Sequence, residues 1–86
     1  MKKVIVYKTP HCPYCVRATE LLTSKNIPFE TVDVSVSADL MKKMIEKSQR
    51  KTVPQIFIGD YHVGGYTDLA ELSNQGKLES LLNEEN

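Results

Sequence analysis

The two cysteines of the chain, Cys12 and Cys15, stand three residues apart directly after an apolar run, Val4 to Tyr7. Positions i and i+3 lie on one face of a helix, so the two sulfur atoms can meet and form a disulfide. Pro13 suits the first helical position because its φ is already helical and it lacks an N–H that would have no partner there. Cys12 then becomes the N-cap, where free N–H groups and the helix dipole favour the reactive thiolate. The pattern predicts a redox-active dithiol.

Two other uses of the cysteine pair are disfavoured. A structural zinc site needs four ligands, and the other soft ligands, His11 and His62, do not have the spacing of a finger or ribbon. A purely structural disulfide is also disfavoured, because closing so short a loop removes little chain entropy. We therefore expect a redox role for the pair and no metal site.

Length and composition restrict the classes of function that the chain can serve. Its 86 residues suit one domain, spanning residues 1–86, which can fold without cross-links. With 11 basic and 11 acidic residues the formal net charge is zero, so we expect no nucleic-acid or membrane partner. No apolar run is long enough for a bilayer span or a signal-peptide core. We therefore expect a cytoplasmic protein, where a cysteine pair is more often catalytic than structural.

The hydrophobic pattern predicts the elements that must position the cysteines. We predict strands over residues 3–7, 29–34, 53–58 and 61–63. We predict helices from 13 to about 25, from a Ser37 cap onward, from a Thr67 or Asp68 cap to about 74, and a last one ending near Leu82. The first strand–helix–strand unit makes parallel strands, and the Gly59–Asp60 turn makes an antiparallel hairpin. The result is an α/β fold, a four-stranded mixed sheet flanked by helices on both faces in the order β-α-β-α-β-β-α-α. Residues 83–86 are expected to fray.

Two further segments have types of residue that bind peptide-like ligands. Pro54 at the start of a strand leaves the Val53 main chain extended and open to strand addition. Alternatively, the proline only marks the boundary between a loop and a strand. The Gly64–Gly65 pair precedes a helix start, where close backbone approach and free N–H groups suit a carboxylate. Asp68 could offer its own carboxylate to an ammonium group, or cap the helix, and the two roles are compatible.

The chain resembles a glutaredoxin of the dithiol class. The resemblance rests on three segments in the order and approximate spacing of that family, and it covers essentially the whole chain. These segments are Cys12-Pro13-Tyr14-Cys15, Thr52-Val53-Pro54-Gln55-Ile56-Phe57-Ile58-Gly59 and Gly64-Gly65-Tyr66-Thr67-Asp68-Leu69. The resemblance implies a thioredoxin fold, a cis peptide bond before Pro54, and glutathione as the reductant.

The resemblance also implies a role for each matching position. Cys12 matches the nucleophile and Cys15 the resolving cysteine of a pair that reduces protein disulfides and glutathionyl mixed disulfides. Glutathione is the implied co-substrate, with no tightly bound cofactor. The implied glutathione-binding residues are Tyr14, Arg50, Thr52, Val53, Pro54, Gly65, Tyr66, Thr67 and Asp68.

Within that set the resemblance distinguishes the parts of the ligand. The main chain of Val53 would pair with the cysteinyl residue of glutathione, and Tyr14 would line the groove beside it. Thr67 and Asp68 would hold the γ-glutamyl carboxylate and ammonium. Arg50 would lie near the glycine carboxylate. The implied partners are glutathione and disulfide-containing or glutathionylated proteins. The protein itself is expected to be a monomer.

Two positions depart from the family pattern. Many relatives have a lysine three residues before the nucleophile, where this chain has Thr9, with Lys8 one residue earlier and Lys51 elsewhere. A strand residue shifted by one position points to the other face of the sheet. Tyr66 stands where the family often has a cysteine or another small residue, so its ring either narrows the groove or adds stacking area.

Two alternative functions stay open from the sequence. One is a redoxin recycled by a thioredoxin reductase instead of glutathione, which the resemblance of Arg50 and the 66–68 segment to a glutathione site disfavours. The other is a dimer that binds an iron–sulfur cluster through Cys12 and external glutathione, since thiolates are the usual cluster ligands. Pro13 and Tyr14 make the cysteine motif stiff and bulky for that purpose.

Overall fold

The computed structural model describes residues 1–84 and confirms the predicted β-α-β-α-β-β-α-α order. The strands end within two residues of the predicted bounds, and the largest difference is at the start of the third strand. The observed elements are β1 Val4–Lys8, α1 Pro13–Ser24, β2 Glu30–Asp33, α2 Ala38–Ser48, β3 Gln55–Ile58, β4 Tyr61–Gly64, α3 Tyr66–Asn74 and α4 Leu78–Asn83.

The four strands form one mixed sheet in the order β2-β1-β3-β4. The β1–β2 pair is parallel, whereas β1–β3 and β3–β4 are antiparallel, as the sequence predicted. In the β1–β3 register, Tyr7 lies opposite Gln55. The end of β1 and the start of β3 therefore lie at the same edge of the sheet. This places the cysteine loop beside the Thr52–Pro54 segment.

Hydrophobic side chains cover both faces of the sheet. On one face, α1, α3 and α4 pack their buried leucines against Val4, Val6, Ile56 and Ile58. On the other face, Met44 of α2 packs against Tyr7 and Phe57, whose rings meet edge to face. The alternation of buried residues along β1 follows from the two-residue period of a strand. Helices thus flank both faces, and the predicted fold class is confirmed.

The start of β3 corrects the predicted strand from residue 53. Pro54 has no N–H to donate to a ladder, so regular pairing begins at Gln55. The Val53–Pro54 peptide bond is cis, as the resemblance implied. Val53 therefore belongs to a loop that approaches the cysteines and not to the strand.

Of the predicted helix caps, the Ser37 cap is confirmed and the cap of α3 is wrong. Ser37 caps α2 by accepting a hydrogen bond from the Leu40 N–H at 3.4 Å, and Asn26 after α1 has a left-handed φ of 58°. The predicted Thr67 or Asp68 cap of α3 is wrong, because the N-cap is Gly65, with extended backbone. Asp68 instead lies in the first turn, and its carboxylate accepts a hydrogen bond from the Gly65 N–H at 3.0 Å.

The last helix ends close to the predicted position near Leu82, because Asn83 is the last residue of α4. The fraying expected for residues 83–86 stays a prediction, and residues 85–86 lie outside the described residues. Across residues 1–84, no helix has the length and apolar character needed to cross a membrane.

Candidate active site

A disulfide joins Cys12 and Cys15 at the start of α1, where their Cα atoms lie 5.2 Å apart. Cys12 is the N-cap with extended backbone, and Pro13 occupies the first helical turn as predicted. The Cys12 Sγ atom accepts a hydrogen bond from the Cys15 N–H at 3.1 Å. The positive end of the α1 dipole therefore faces the Cys12 sulfur, an arrangement that stabilises a thiolate once the disulfide is reduced.

The two sulfurs differ in their access to solvent. Cys15 is 2% exposed and belongs to the buried side of α1, whereas Cys12 is partly exposed. The Cys12 Sγ atom lies 3.9 Å from the carbonyl oxygen of Val53. An incoming thiol or disulfide therefore reaches the Cys12 sulfur first, beside the main chain of the Val53 loop.

A shallow groove of about 160 Å³ runs from the cysteine motif along that loop to the start of α3. It brings together eight of the nine predicted glutathione-binding residues and adds Gln55. The lining residues are Tyr14, Arg50, Thr52, Val53, Pro54, Gln55, Gly65, Tyr66 and Thr67. The ninth, Asp68, contacts two of them from behind. The binding roles of these residues stay predictions.

The charged end of the groove consists of Asp68 and Arg50. The Asp68 Oδ2 atom lies 3.4 Å from Nη1 of Arg50 and also accepts the hydrogen bond from the Gly65 N–H. Gly64 has a φ of +115°, and a Cβ at this position would collide with the Asp68 carboxylate. Glycine is thus required at position 64 both for its conformation and for the close approach of the carboxylate.

Aromatic rings form the outer walls of the groove. The rings of Tyr14 and Tyr66 lie 6.2 Å apart between centroids, and the Arg17 guanidinium lies 5.1 Å from the Tyr14 centroid. Tyr14 is 54% exposed. Tyr66 thus extends the aromatic surface beside the cysteines, at the position where the sequence departs from the family pattern.

The lysines near the cysteines lie outside the groove. Lys8 and Thr9 line a separate cavity of about 210 Å³ that includes Cys15. Lys51 and His11 are exposed. Lys8, Thr9 and Lys51 are thus all absent from the lining of the groove, and Thr9 lies on the same separate cavity as Lys8.

Another cavity, of about 330 Å³, lies away from the disulfide. It is lined by residues 1–4 and 28–30, at the opposite end of the β1–β2 pair. Within residues 1–84, no three His, Cys, Asp or Glu side chains are grouped as metal ligands would be.

Sequence reasoning missed a hydrogen-bonded pair at the groove, in which Gln55 is buried and His62 is partly buried. Gln55 is 1% exposed, and its side chain bonds both Thr52 and His62. The signal was present in the hairpin, because Phe57 pairs with His62 and Gln55 is then the diagonal neighbour on the same face.

The chain was compared with known proteins. A family model described as Glutaredoxin matches residues 4–63. A glutaredoxin of Pseudomonas aeruginosa is 43% identical over 82 residues, covering 95% of this chain and 98% of that protein. Glutaredoxin 3 of Escherichia coli is 44% identical over 82 residues, covering 95% and 99%.

Solved structures give the same result. The solution structure of a glutaredoxin from Brucella melitensis has a TM-score of 0.84 at 51% identity, covering 95% of this chain and 89% of that chain. The crystal structure of a buckwheat glutaredoxin–glutathione complex has a TM-score of 0.85 at 26% identity, covering 94% and 76%.

A four-stranded mixed sheet flanked by helices, with a Cys-x-x-Cys pair at the start of the first helix, defines a thiol–disulfide redox protein. The chain belongs to the glutaredoxin family, in its dithiol class. Its function is glutathione-dependent thiol–disulfide exchange through the Cys12–Cys15 pair.

Proposed function

We propose that Cys12 is the nucleophile, Cys15 the resolving cysteine, and the groove beside them the binding site for the glutathione moiety. The observation that carries the assignment is the unequal access of the two sulfurs, since Cys15 is 2% exposed and Cys12 is partly exposed, beside the Val53 carbonyl at the groove. The helix N-terminus favours the Cys12 thiolate, which is the species that attacks a disulfide. Cys15 then acts only on a disulfide already formed at Cys12.

The chemistry of the groove suits each part of glutathione. Val53, close to the Cys12 sulfur, offers its N–H and C=O to the cysteinyl peptide groups, as an added strand would use them. Gly65, Tyr66 and Thr67 surround the free N–H groups at the start of α3, which suit the γ-glutamyl carboxylate.

The two charged ends of the ligand have matching partners. Asp68 suits the γ-glutamyl ammonium, while Arg50 suits the glycine carboxylate once binding of glutathione has replaced its contact with Asp68. Tyr14, Thr52 and Pro54 complete the walls of the groove. The buckwheat relative crystallised with glutathione supports the proposal that this groove takes the same ligand.

Glutathionylated substrates need one cysteine. The Cys12 thiolate attacks the glutathionyl sulfur, forms a Cys12–glutathione disulfide and releases the substrate as its thiolate. A second glutathione thiolate then attacks the sulfur of the bound glutathione. Oxidised glutathione leaves, and the Cys12 thiolate is regenerated.

Protein disulfides need both cysteines. The Cys12 thiolate attacks one sulfur of the substrate disulfide, giving a mixed disulfide and one released thiolate. Cys15 attacks the Cys12 sulfur, which releases the second substrate thiolate and closes the Cys12–Cys15 disulfide. Two glutathione molecules reduce that disulfide in turn and leave as oxidised glutathione.

The proposal also covers the substrates, the oligomeric state and the cellular compartment. We place disulfide-containing and glutathionylated proteins as the substrates of a cytoplasmic monomer. Dithiol glutaredoxins have potentials of about −200 to −230 mV, close to the glutathione poise of a reducing compartment, so such surroundings keep the pair cycling.

The test is reduction of a glutathionylated peptide with glutathione, glutathione reductase and NADPH. We expect turnover by the wild type, loss of turnover in Cys12→Ser, and partial retention in Cys15→Ser. With a protein disulfide as substrate, both variants should be inactive. Activity in Cys12→Ser, or turnover that requires thioredoxin reductase in place of glutathione, would contradict the proposal.

A further inference from the structure

Gln55 is a polar side chain in an otherwise apolar strand. It is 1% exposed, and the residues that follow it in β3, Ile56 to Ile58, are all buried hydrophobics. A buried amide is costly unless its polar atoms are hydrogen-bonded. The Gln55 Nε2 atom donates to the main-chain carbonyl of Thr52 at 3.0 Å and to the Thr52 hydroxyl at 3.2 Å. Gln55 therefore joins the first residue of β3 to the loop on the far side of Pro54.

His62 fixes the orientation of that amide. Its Nε2 atom lies 2.7 Å from Oε1 of Gln55, and its ring stacks on Phe57 with centroids 4.9 Å apart. Burial, together with the positive charge of Arg50, lowers the pKa of His62, against the opposing effect of Asp68. The ring is therefore neutral at neutral pH.

The protonated nitrogen of this neutral ring follows from its partner. The Gln55 oxygen can only accept a hydrogen bond, so Nε2 of His62 carries the proton and donates it. A flipped amide would place its oxygen against the Thr52 carbonyl oxygen. His62 thus keeps the Gln55 amide nitrogen directed at Thr52.

Gln55 and His62 together, called the clamp below, act on Thr52. This residue precedes Val53, whose main chain faces the cysteines. Thr52 is exposed and lies outside the helices and strands, and Val53 follows it. In the part of the chain that the structure describes, no main-chain hydrogen bond engages Val53. The orientation of its N–H and C=O is therefore set by the packing of its own side chain against the core and by its neighbours, Thr52 on one side and the ring of Pro54 on the other.

We propose that Gln55 and His62 are positioning residues for glutathione, which act through Thr52 to hold the Val53 main chain ready to pair with the cysteinyl residue. This inference rests on the proposed binding of glutathione along Val53. A preset main chain loses less freedom on binding, so the clamp lowers the KM for glutathione. A small dithiol such as dithiothreitol has no peptide groups, and its reaction with the Cys12–Cys15 disulfide does not use the clamp.

The first test is Gln55→Met, which keeps the length of the side chain and removes its hydrogen bonds. We expect the KM for glutathione to rise about tenfold, the effect of losing the hydrogen bonds that hold Thr52, with kcat within about twofold. The rate at which dithiothreitol reduces the Cys12–Cys15 disulfide should stay within about twofold of wild type. Gln75→Met is the matched control, because Gln75 is an exposed glutamine at the end of α3.

The second test uses the more accessible member of the pair. His62→Leu removes the donor and should raise the KM for glutathione several-fold, whereas His62→Gln keeps an N–H within reach of Gln55 and should restore it. This pair of variants does not depend on how well Gln55→Met folds.

Two results would overturn the inference: equal losses with glutathione and dithiothreitol, which mark a purely structural role, or a KM unchanged in both Gln55→Met and His62→Leu. Failure of the proposed function has a different signature. In that case the wild type itself would not saturate with glutathione, whatever residue occupies position 55.

Discussion

Replacing Asp68 by asparagine separates the structural role of this side chain from its proposed role in binding. In the structure, the Asp68 carboxylate accepts a hydrogen bond from the Gly65 N–H at 3.0 Å and lies 3.4 Å from the Arg50 guanidinium. Asparagine keeps an oxygen that can accept from Gly65. It removes the charge that would attract both Arg50 and the γ-glutamyl ammonium of glutathione.

The expected loss of stability is small. The side chains of Arg50 and Asp68 are 50% and 45% exposed, and ion pairs exposed to this degree contribute about 0–1 kcal/mol. The loss of a negative charge in the first turn of α3 adds a few tenths of a kcal/mol through the helix dipole. Because the hydrogen bond to Gly65 persists, we expect Asp68→Asn to lower the free energy of unfolding by about 1 kcal/mol.

The expected effect on binding is larger. A hydrogen bond between charged groups contributes about 1.5–3 kcal/mol, so losing the ammonium contact should raise the KM for glutathione about 10- to 100-fold. The attack by Cys12 does not involve Asp68, so kcat at saturating glutathione should change by less than about threefold.

Two measurements on one set of proteins decide the point. Urea unfolding gives the stability. The coupled assay with a protein disulfide, glutathione reductase and NADPH gives kcat and the KM for glutathione, which itself enters the groove when it opens the Cys12–Cys15 disulfide. Glu71→Gln is the matched control, because it makes the same change of charge on α3 at a residue without the contacts that Asp68 makes with Arg50 and Gly65. An unchanged KM in Asp68→Asn, or an equal rise in Glu71→Gln, would refute the assignment of Asp68 to the ammonium group.

Three further changes test the surroundings of the site. Gly64→Ala puts a Cβ against the Asp68 carboxylate at a φ of +115°, so urea unfolding should show a loss of about 2 kcal/mol. Leu22→Ala truncates a side chain that is 0% exposed and should cost about 3 kcal/mol in that measurement. Burial and Arg50 lower the pKa of His62, so the unfolded chain binds this proton more tightly. Stability should therefore fall as the pH drops below about 6.5 towards the folded-state pKa, and His62→Gln should lose less than wild type across that window.

The parts of the fold that could be predicted from the sequence depend on local signals. Pro13 and the cysteine spacing determine the start of α1, and β-branched residues mark β1. The Gly59–Asp60 turn determines the antiparallel β3–β4 pair. In each case the residues that carry the signal are neighbours in sequence, so no knowledge of packing is needed.

The features that the sequence did not reveal depend on contacts between segments. The α3 cap was assigned to Thr67 or Asp68 from their side-chain chemistry, yet Gly65 takes that position because the Asp68 carboxylate folds back onto its N–H. The hairpin register makes Gln55 a diagonal neighbour of His62. The depth at which Gln55 is buried and its hydrogen bonds to Thr52 depend on packing between segments.

The most direct test of the account is the site of modification when Cys15→Ser reacts with oxidised glutathione. The Cys12 thiolate should attack one sulfur of oxidised glutathione, form one Cys12–glutathione disulfide and release one glutathione thiolate. Peptide-mapping mass spectrometry should find a single glutathionyl group, on Cys12, whereas Cys12→Ser should remain largely unmodified because Cys15 is buried. Equal modification of Cys15 in Cys12→Ser, or none at Cys12 in Cys15→Ser, would contradict the assignment of Cys12 as the nucleophile.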